Sequence, residues 1–237
     1  MKDIEYLNRY YKGNIDEAIK QLNEGIPVQY IVGNVNFYDY ELNVDERVLI
    51  PRRETEELVE EVIKRSKFFS NPMIIDIGTG SGAIAISISK ELKCHVLASD
   101  ISSDALLVAE ENIEKNNANV SLFCGDMLKP YIDKGIRVDI IVSNPPYIRY
   151  DEKIEEIVKN NEPPIALYAD NKGLKYYEEI LKDAKKVLND KFLIAFEIGQ
   201  DQKEDIMKIV DKYLNDVKVE IKKDLSLRNR MLFVYNY

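Results

Sequence analysis

The chain has 237 residues and a formal net charge of −9, which comes from 33 basic and 42 acidic residues. With 45% hydrophobic residues it can fill a large globular core, and this composition excludes a disordered polypeptide. The acidic balance repels a phosphate backbone, which argues against stable nucleic-acid binding, and no apolar run reaches the ~18 to 20 residues of a membrane span, which argues against a membrane protein.

The front of the chain predicts a small helical region. Its start, Met-Lys-Asp-Ile-Glu, lacks the apolar core of a secretory signal, so we expect the protein to remain in the cytoplasm. Two short helices are predicted between Ile4 and Leu22, with a break around Gly13-Asn14. The segment from Gly33 to Val44 is rich in aromatic residues and predicts a β-hairpin.

A glycine-rich loop follows the first buried strand of the main domain. The strand is predicted over residues 72–77, the loop over Gly78 to Gly82, and a helix over residues 83–90. Glycines allow the backbone to approach a ligand closely, and the helix N-terminus offers free N–H groups. The same loop also satisfies the loose dinucleotide fingerprint Gly-x-Gly-x-x-Ala, and a tight turn that is packed for its own sake is the less favoured alternative.

Two acidic residues follow the next two predicted strands. Asp100 closes the strand over residues 94–99, and its carboxylate can accept hydrogen bonds from both hydroxyls of a ribose. The strand Val120–Cys124 leads to Asp126 and Met127, where the acid can accept from an adenine amino group and the methionine can pack on the ring. Taken alone, each acid is more often a helix cap or a solvated loop residue.

The sequence Asn144-Pro145-Pro146-Tyr147 comes directly after the apolar strand Val138–Ser143. An amide nitrogen is a poor nucleophile because its lone pair is delocalised. Hydrogen-bond acceptors around the nitrogen, here the Asn144 side-chain oxygen and the Pro145 carbonyl, would aim the lone pair at an electrophile. Two prolines stiffen the turn that carries these oxygens, and Tyr147 offers a flat face to the target group or to a cationic sulfonium. The alternative is an ordinary Asn-Pro turn that ends a strand.

The remaining elements complete a mostly parallel sheet. A buried strand is predicted over Phe192–Phe196, followed by a helix and by the strands Val217–Ile221 and Met231–Tyr235. The last two strands have no room for a crossover helix between them, so they should pair antiparallel, which an all-parallel dehydrogenase sheet does not predict. The candidate side chains then lie at the carboxyl ends of parallel strands, where ligands of open α/β sheets bind.

These motifs together resemble the class I S-adenosylmethionine-dependent methyltransferases, in the branch that methylates amino groups with an Asn-Pro-Pro-Tyr motif. From about Gly25 to Tyr237 the chain is similar to the HemK/PrmC family, the peptide chain release factor glutamine N5-methyltransferases. The further segments that carry this resemblance are Gly33–Val44, Leu49–Glu56, Glu162-Pro163, Ala166-Leu167, Gly173-Leu174, Phe196–Gly199 with Gln202, and Lys223–Leu225 with Arg228 and Arg230.

The resemblance implies a fold, a reaction and a partner. The implied fold is an α/β, Rossmann-like class I methyltransferase domain over residues 51–237, with a seven-stranded, mostly parallel sheet that ends in an antiparallel hairpin. A linking β-hairpin over residues 25–50 and a shortened helical segment over residues 1–24 precede it. The implied reaction transfers a methyl group from S-adenosylmethionine to the side-chain N5 of a glutamine, in the Gly-Gly-Gln motif of a class 1 release factor. We expect a monomer that has the release factor as its partner.

The resemblance also implies the roles of individual residues. Asn144, Pro145 and Tyr147 are the implied catalytic residues, and together with Pro146 they hold the substrate amide. The implied cofactor-binding residues are Asp76, Gly78, Thr79, Gly80, Ser81, Gly82, Asp100, Asp126, Met127 and Asn144.

Several other functions stay open from the sequence. One alternative is glutamine methylation of a ribosomal protein or another translation protein. Another is N6-adenine methylation of nucleic acid. The acidic charge disfavours the second, as does the short segment between Tyr147 and Lys175, which leaves little space for a target-recognition region. A catalytically silent methyltransferase fold that serves as a binding module and an NAD-dependent dehydrogenase are the alternatives from different classes.

The chain departs from the family pattern in its loops and at its front. Family members usually carry a proline where Arg53 stands, an aromatic residue near Met127, and a Gly-Gly-x-Asp-Gly stretch where this chain has Ala169–Gly173. The helical N-terminal domain typical of the family is reduced to residues 1–24. These departures concern contacts with the protein substrate more than the type of reaction.

Cysteine and histidine are too few for a metal centre. Cys94 and Cys124 fall in separate predicted core strands, so we interpret them as buried free thiols. His95 is the single histidine, and its predicted place within a strand favours a core or edge role over catalysis. We therefore expect no structural zinc site and no other bound metal.

Overall fold

A seven-stranded sheet forms the centre of the computed structural model, which describes residues 2–237. A separate two-stranded hairpin precedes it in the chain. The strands are β1 (Asn34–Phe37), β2 (Tyr40–Asn43), β3 (Ile74–Ile77), β4 (Val96–Asp100), β5 (Val120–Cys124), β6 (Val138–Ser143), β7 (Leu188–Glu197), β8 (Lys218–Lys223) and β9 (Asn229–Tyr235).

The strand order of the large sheet is β5-β4-β3-β6-β7-β9-β8. The pairs from β5 through β7 are parallel, whereas β9 runs antiparallel to both β7 and β8. The connection between β8 and β9 spans only residues 224–228, which is too short for a crossover to a parallel partner. The predicted sheet with its reversed C-terminal hairpin is therefore confirmed.

Helices cover both faces of the sheet. They are α1 (Lys2–Tyr10), α2 (Ile15–Asn23), α3 (Val28–Val32), α4 (Arg53–Ser66), α5 (Ala83–Leu92), α6 (Ser103–Asn116), α7 (Lys129–Asp133), α8 (Glu156–Asn161), α9 (Pro164–Leu167), α10 (Asp170–Gly173), α11 (Lys175–Asp183) and α12 (Lys203–Tyr213), with a 3-10 turn over Ala184–Lys186.

Side chains along the strands alternate between the two faces of the sheet, and a hydrophobic core lies on each face. On β3, Ile75 packs in the same cluster as Tyr177 of α11 and Val210 of α12. Its neighbour Ile74 points to the other face and packs in a cluster with Leu58 of α4. Since successive side chains of a strand point to opposite faces, the apolar run of a buried parallel strand supplies both cores.

The front of the chain forms a small helical layer with a core of its own around Leu7, Ala18 and Val28. The two predicted helices are present as α1 and α2, and the predicted hairpin is present as β1 and β2. The helix α3 lies inside the region interpreted as a linking hairpin and was not predicted. Met1, part of the predicted segment 1–24, lies outside the described residues.

The interpretation of both cysteines as buried core residues is wrong. Cys94 is half-buried because β4 begins two residues later, at Val96. Cys124 is exposed because it ends β5, which is the edge strand of the sheet and has a neighbour on one side only. His95 is exposed just before β4, where its Nε2 lies 2.9 Å from Ser121 Oγ.

Two further features of the described residues bear on function. Within residues 2–237, no group of three or more histidine, cysteine or acidic side chains is arranged to hold a metal ion. Over the same residues, no helix is both long enough and apolar enough to cross a membrane.

Candidate functional site

The loop between β3 and α5 forms one wall of a cleft at the carboxyl edge of the sheet. Gly78 and Gly80 have φ angles of 70° and 55°, which favour glycine over residues with a side chain. A Cβ atom at either position would meet no atom within 4 Å, so the bare backbone of both residues faces open space. The loop is tied to β4, since the Gly80 N–H donates to Asp100 Oδ2 over 2.9 Å.

Asp100 closes β4 and forms the next part of the wall. Its second oxygen, Oδ1, accepts from the Ser102 N–H over 2.9 Å, so the carboxylate links the glycine loop to the start of α6. Burial raises the pKa of Asp100, and its backbone hydrogen bonds oppose that rise. Each carboxylate oxygen has a further lone pair, so both can also accept from a ligand hydroxyl.

We call this space the glycine cleft. Six of the predicted cofactor-binding residues line it, and they come from the ends of four adjacent parallel strands. They are Gly78, Gly80, Asp100, Asp126, Met127 and Asn144. The cleft is completed by residues that carried no predicted role, among them Val48, Leu49, Ile101, Ala105, Pro163, Ile165 and Tyr176.

Four other predicted cofactor residues do not line the glycine cleft. Asp76 is fully buried behind the loop, where its Oδ2 accepts from Thr79 Oγ1 over 2.7 Å. The Ser81 carbonyl accepts from Asn112 Nδ2 over 2.9 Å, and Gly82 starts α5 against Ala109. These residues hold the loop in shape from behind rather than face the cleft.

The buried state of Asp76 has an electrostatic consequence. Its Oδ1 has no hydrogen-bond partner among the described residues, and burial raises the pKa of the carboxyl to about 7. The hydrogen bond from Thr79 lowers the pKa, but desolvation is the larger effect. A buried carboxyl with one unpartnered oxygen favours the neutral, protonated form.

The Asn144–Tyr147 segment separates the glycine cleft from a second space, which we call the proline cavity. This cavity has a volume of about 460 Å³. Its walls include Pro145, Pro146 and Tyr147, together with Arg52, Glu197 and Arg228. Leu49, Asn144, Pro146 and Ala166 line both spaces.

Hydrogen bonds fix Asn144 within this wall. Its Nδ2 donates to Thr55 Oγ1 over 3.2 Å, and the Thr55 hydroxyl in turn donates to Glu197 Oε2 over 2.6 Å. Thr55 and Glu197 are 4% and 2% exposed, so the bond between them lies in the protein interior, and the bond from Asn144 is partly buried. The bond to Thr55 holds the amide nitrogen of Asn144 on the side of α4.

Tyr147 is held by both its side chain and its backbone. Its hydroxyl donates to Glu197 Oε1 over 3.3 Å and accepts from Arg230 Nη1 over 3.2 Å. Burial, followed by the charge of Glu197, raises the pKa of Tyr147. The Tyr147 carbonyl accepts from Gln202 Nε2 over 3.0 Å, and Gly173 packs so closely that a Cβ there would lie 2.1 Å from the same oxygen.

Arg52, which lines the proline cavity, forms an ion pair next to it. Arg52 pairs with Glu162, which is 4% exposed and lies just before α9. The second carboxylate oxygen of Glu162 accepts from the Ile50 N–H over 3.2 Å. This pair holds the α8–α9 segment against the segment that precedes α4. The α8–α9 segment supplies residues to both the glycine cleft and the proline cavity.

Thr55, Glu197 and Arg230 belong to the site but carried no predicted role. The sequence did contain a signal for one of them, because Glu197 is an acidic residue directly after the apolar run Phe192–Phe196. Such a position requires a buried partner, and parallel strands end at the ligand-binding edge. Nothing in the sequence indicated that Thr55, far away in the chain, is that partner.

This fold and this site define a class I methyltransferase. The family model described as "Methyltransferase small domain" matches residues 54–162. The crystal structure of a methyltransferase from Pyrococcus furiosus superposes with a TM-score of 0.61 over 84% of this chain and 90% of that chain, at 20% identity, and so shares the fold.

Closer relatives identify the family. A release factor glutamine methyltransferase from Bacillus subtilis is 42% identical over 90% of this chain and 77% of its own length. One from Lactococcus lactis is 44% identical over 93% of this chain and 81% of its own length. A release factor-specific protein-(glutamine-N5) methyltransferase from Alicyclobacillus acidocaldarius superposes with a TM-score of 0.50, covering 78% of this chain and 93% of that chain, at 29% identity. The chain belongs to the release factor glutamine methyltransferase family.

Proposed function

We propose that this protein transfers a methyl group from S-adenosylmethionine to the side-chain N5 of the glutamine in the Gly-Gly-Gln motif of class 1 release factors. The observation that carries the proposal is the meeting of two spaces at Asn144 and Pro146. A methyl donor in the glycine cleft and a glutamine side chain in the proline cavity would approach each other at these residues.

The residues of the glycine cleft fit S-adenosylmethionine. Gly78 and Gly80 have no side chain and face open space, which suits close approach of the ligand to the backbone. Asp100 has acceptor capacity for the ribose hydroxyls, and Asp126 for the adenine amino group, with Met127 beside the ring. When bound, this donor supplies an electrophilic methyl group on a positively charged sulfur.

The Asn144 segment would prepare the glutamine amide for attack. The Asn144 side-chain oxygen and the Pro145 carbonyl accept the two N–H hydrogens of the substrate and direct the nitrogen lone pair towards the glycine cleft. With the donor bound, the nitrogen would form a bond to the methyl carbon, and the carbon–sulfur bond would break with its electron pair left on sulfur. The nitrogen then releases one proton to water. Positioning and the fixed dipoles of the two oxygens supply the acceleration, and no strong base is required.

The choice of a release factor as the substrate follows from the similarity to the release factor glutamine methyltransferases of Bacillus subtilis and Lactococcus lactis. A translation factor as substrate places the reaction in the cytoplasm. One copy of the chain suffices, because residues of a single chain line both spaces. The net charge of −9 supports a protein substrate over a nucleic acid.

A labelling experiment tests the proposal. The protein is incubated with methyl-labelled S-adenosylmethionine and, in parallel, with a purified class 1 release factor, the same factor with alanine in place of the Gly-Gly-Gln glutamine, ribosomal proteins, and DNA. We expect label on the glutamine of the intact factor alone, located by mass spectrometry. Label on the alanine variant, on ribosomal proteins or on DNA, with none on the intact factor, would overturn the assignment.

A further inference from the structure

Thr55 joins Asn144 to Glu197 through two hydrogen bonds, of 3.2 Å and 2.6 Å. The three residues come from the loop after β6, the first turn of α4 and the end of β7. We propose that Thr55 and Glu197 are positioning residues that fix the side-chain amide of Asn144 with its oxygen towards the substrate glutamine. This inference rests on the proposed methylation of a glutamine amide.

The chemistry of the two bonds sets the direction of the amide. A carboxylate has acceptors only, so the single hydrogen of the Thr55 hydroxyl must go to Glu197. The Thr55 oxygen can then only accept, and the group of Asn144 that meets it must be the NH2 donor. The Asn144 oxygen consequently faces away from Thr55.

The hydrogen bonds around Glu197 leave its Oε2 as the acceptor for Thr55. Its other oxygen accepts from the Tyr147 hydroxyl, which itself accepts from Arg230. The Arg230 guanidinium is held in turn by Asp224, whose Oδ2 accepts from Nε over 3.2 Å. Burial raises the pKa of Glu197 overall, although the hydrogen bond from Thr55 and the charge of Arg230 oppose the rise. Oε2 accepts from Thr55 whether Glu197 is ionised or carries its proton on Oε1.

A reversed Asn144 amide would not serve the reaction. Its NH2 group would face the NH2 group of the glutamine, so two donors would meet and the substrate would lose an acceptor. The rest of the substrate would still be held by the cavity walls. The positioning role therefore affects the rate of the bound complex, kcat, more than the KM of either substrate.

Three variants test the inference. Thr55→Val keeps the shape of the side chain but removes the hydroxyl, and we expect kcat to fall by about tenfold or more, the effect of losing a hydrogen bond to a charged network. Thr55→Ser restores the hydroxyl and should recover kcat to within about threefold of wild type. In Glu197→Gln the new NH2 group can donate to the Thr55 oxygen. The Thr55 hydroxyl can then donate to Asn144, which would turn the Asn144 oxygen towards Thr55 and reverse the amide, so we expect a loss of kcat similar to that of Thr55→Val.

Ser66→Ala is the matched control. Ser66 is a buried residue at the other end of α4, and its hydroxyl donates to the Ile63 carbonyl over 2.8 Å. It lies about 16 Å along the helix from Thr55. We expect this variant to lose some stability in urea denaturation and to keep the wild-type kcat, which separates a positioning effect from general weakening of the helix.

The mobility of the Asn144 amide can be measured by NMR without any enzymatic reaction. This measurement tests the role of Thr55 separately from the proposed function. The ¹⁵N side-chain amide of Asn144, assigned through its loss in Asn144→Asp, should have an order parameter near the ~0.85 of rigid backbone in wild type and Thr55→Ser. In Thr55→Val it should fall below ~0.6. An equally rigid amide in Thr55→Val, or a kcat in this variant equal to that of Thr55→Ser, would overturn the positioning role. Absence of methylation by the wild type would overturn the proposed substrate instead, and the order parameters would still decide the role of Thr55.

Discussion

Asp76 makes the stability of this protein depend on pH in a direction opposite to that of most carboxylates. Its pKa is raised by burial from 3.8 to about 7. The folded protein therefore holds this proton over a pH range in which the unfolded chain has already released it. The stability that this proton contributes is fully present below the unfolded pKa and is lost as the pH rises through the folded pKa.

Replacing Asp76 by asparagine removes this titration while keeping an oxygen for the Thr79 hydroxyl. For each pH unit over which the folded state holds one extra proton, the free energy of unfolding changes by about 1.4 kcal/mol. About two such units lie between pH 5 and the folded pKa. Between about pH 5 and pH 8, wild type should therefore lose about 2–3 kcal/mol relative to Asp76→Asn.

Urea denaturation at a series of pH values measures this difference directly. Asp45→Asn is a suitable control, because the hydrogen bond from Arg47 lowers the pKa of Asp45. The stability from a lowered pKa is present above the unfolded value and is lost only as the pH falls through the folded value, so this variant should show no slope relative to wild type between pH 5 and pH 8. A free-energy difference between Asp76→Asn and wild type that stays constant over that range would refute the reasoning.

Three further substitutions probe the two spaces. Asn144→Ala should lower kcat by about 10²-fold in single-turnover kinetics, which is the scale for one preorganised group at a reacting centre. The same variant should lose about 1 kcal/mol of stability in urea denaturation, because its hydrogen bond to Thr55 is gone. Asp100→Ala should weaken binding of S-adenosylmethionine by about 1.5–3 kcal/mol in isothermal titration, with a loss of stability because Gly80 loses its acceptor. Gly173→Ala should destabilise the fold by about 2–5 kcal/mol in urea, since the new Cβ would meet the Tyr147 carbonyl and the backbone is left-handed.

Each of these expectations has a clear contrary outcome. An unchanged kcat in Asn144→Ala would remove the residue from the reaction. An unchanged dissociation constant in Asp100→Ala would limit that carboxylate to bracing the glycine loop. A loss of less than about 1 kcal/mol in Gly173→Ala would mean that the loop carrying Tyr147 moves aside with little strain.

Local patterns predicted the order of the elements well. The apolar run Val138–Ser143 is β6 to the residue, and Val120–Cys124 is β5. Both are strands of the parallel part of the sheet. A turn sequence follows each of them, Asn144-Pro145 after β6 and Gly125-Asp126 after β5, so the sequence marks their ends. The reversed hairpin followed from loop length alone, since the connection between β8 and β9 allows one pairing direction.

Burial at the edge of the sheet was harder to predict. Cys94 and Cys124 look like core residues because strand patterns do not reveal which strand lies at the edge. The short helices α7, α8 and α9 were missed because segments of four to six residues carry too little periodicity to be recognised.

The candidate site was predicted only in part, for a physical reason. Asp100 and Asn144 follow strands, and the parallel sheet brings such positions together without further information. By contrast, the contact between Thr55 and Glu197 joins α4 to β7 across 142 positions of the chain. A bond of this kind depends on how the helix packs on the sheet, which no local pattern contains. The same limit explains why Asp76 resembled a ligand-facing acid although it lies behind the loop.

The proposed direction of the Asn144 amide would also limit how far the modification proceeds. Two oxygens, one on Asn144 and one on Pro145, match the two hydrogens of an unmodified carboxamide. After one transfer the nitrogen retains a single hydrogen, so one of these oxygens would face a methyl group and lose its partner. We therefore expect the product to be a poor acceptor of a second methyl group, so that the modification stops at the monomethylated side chain.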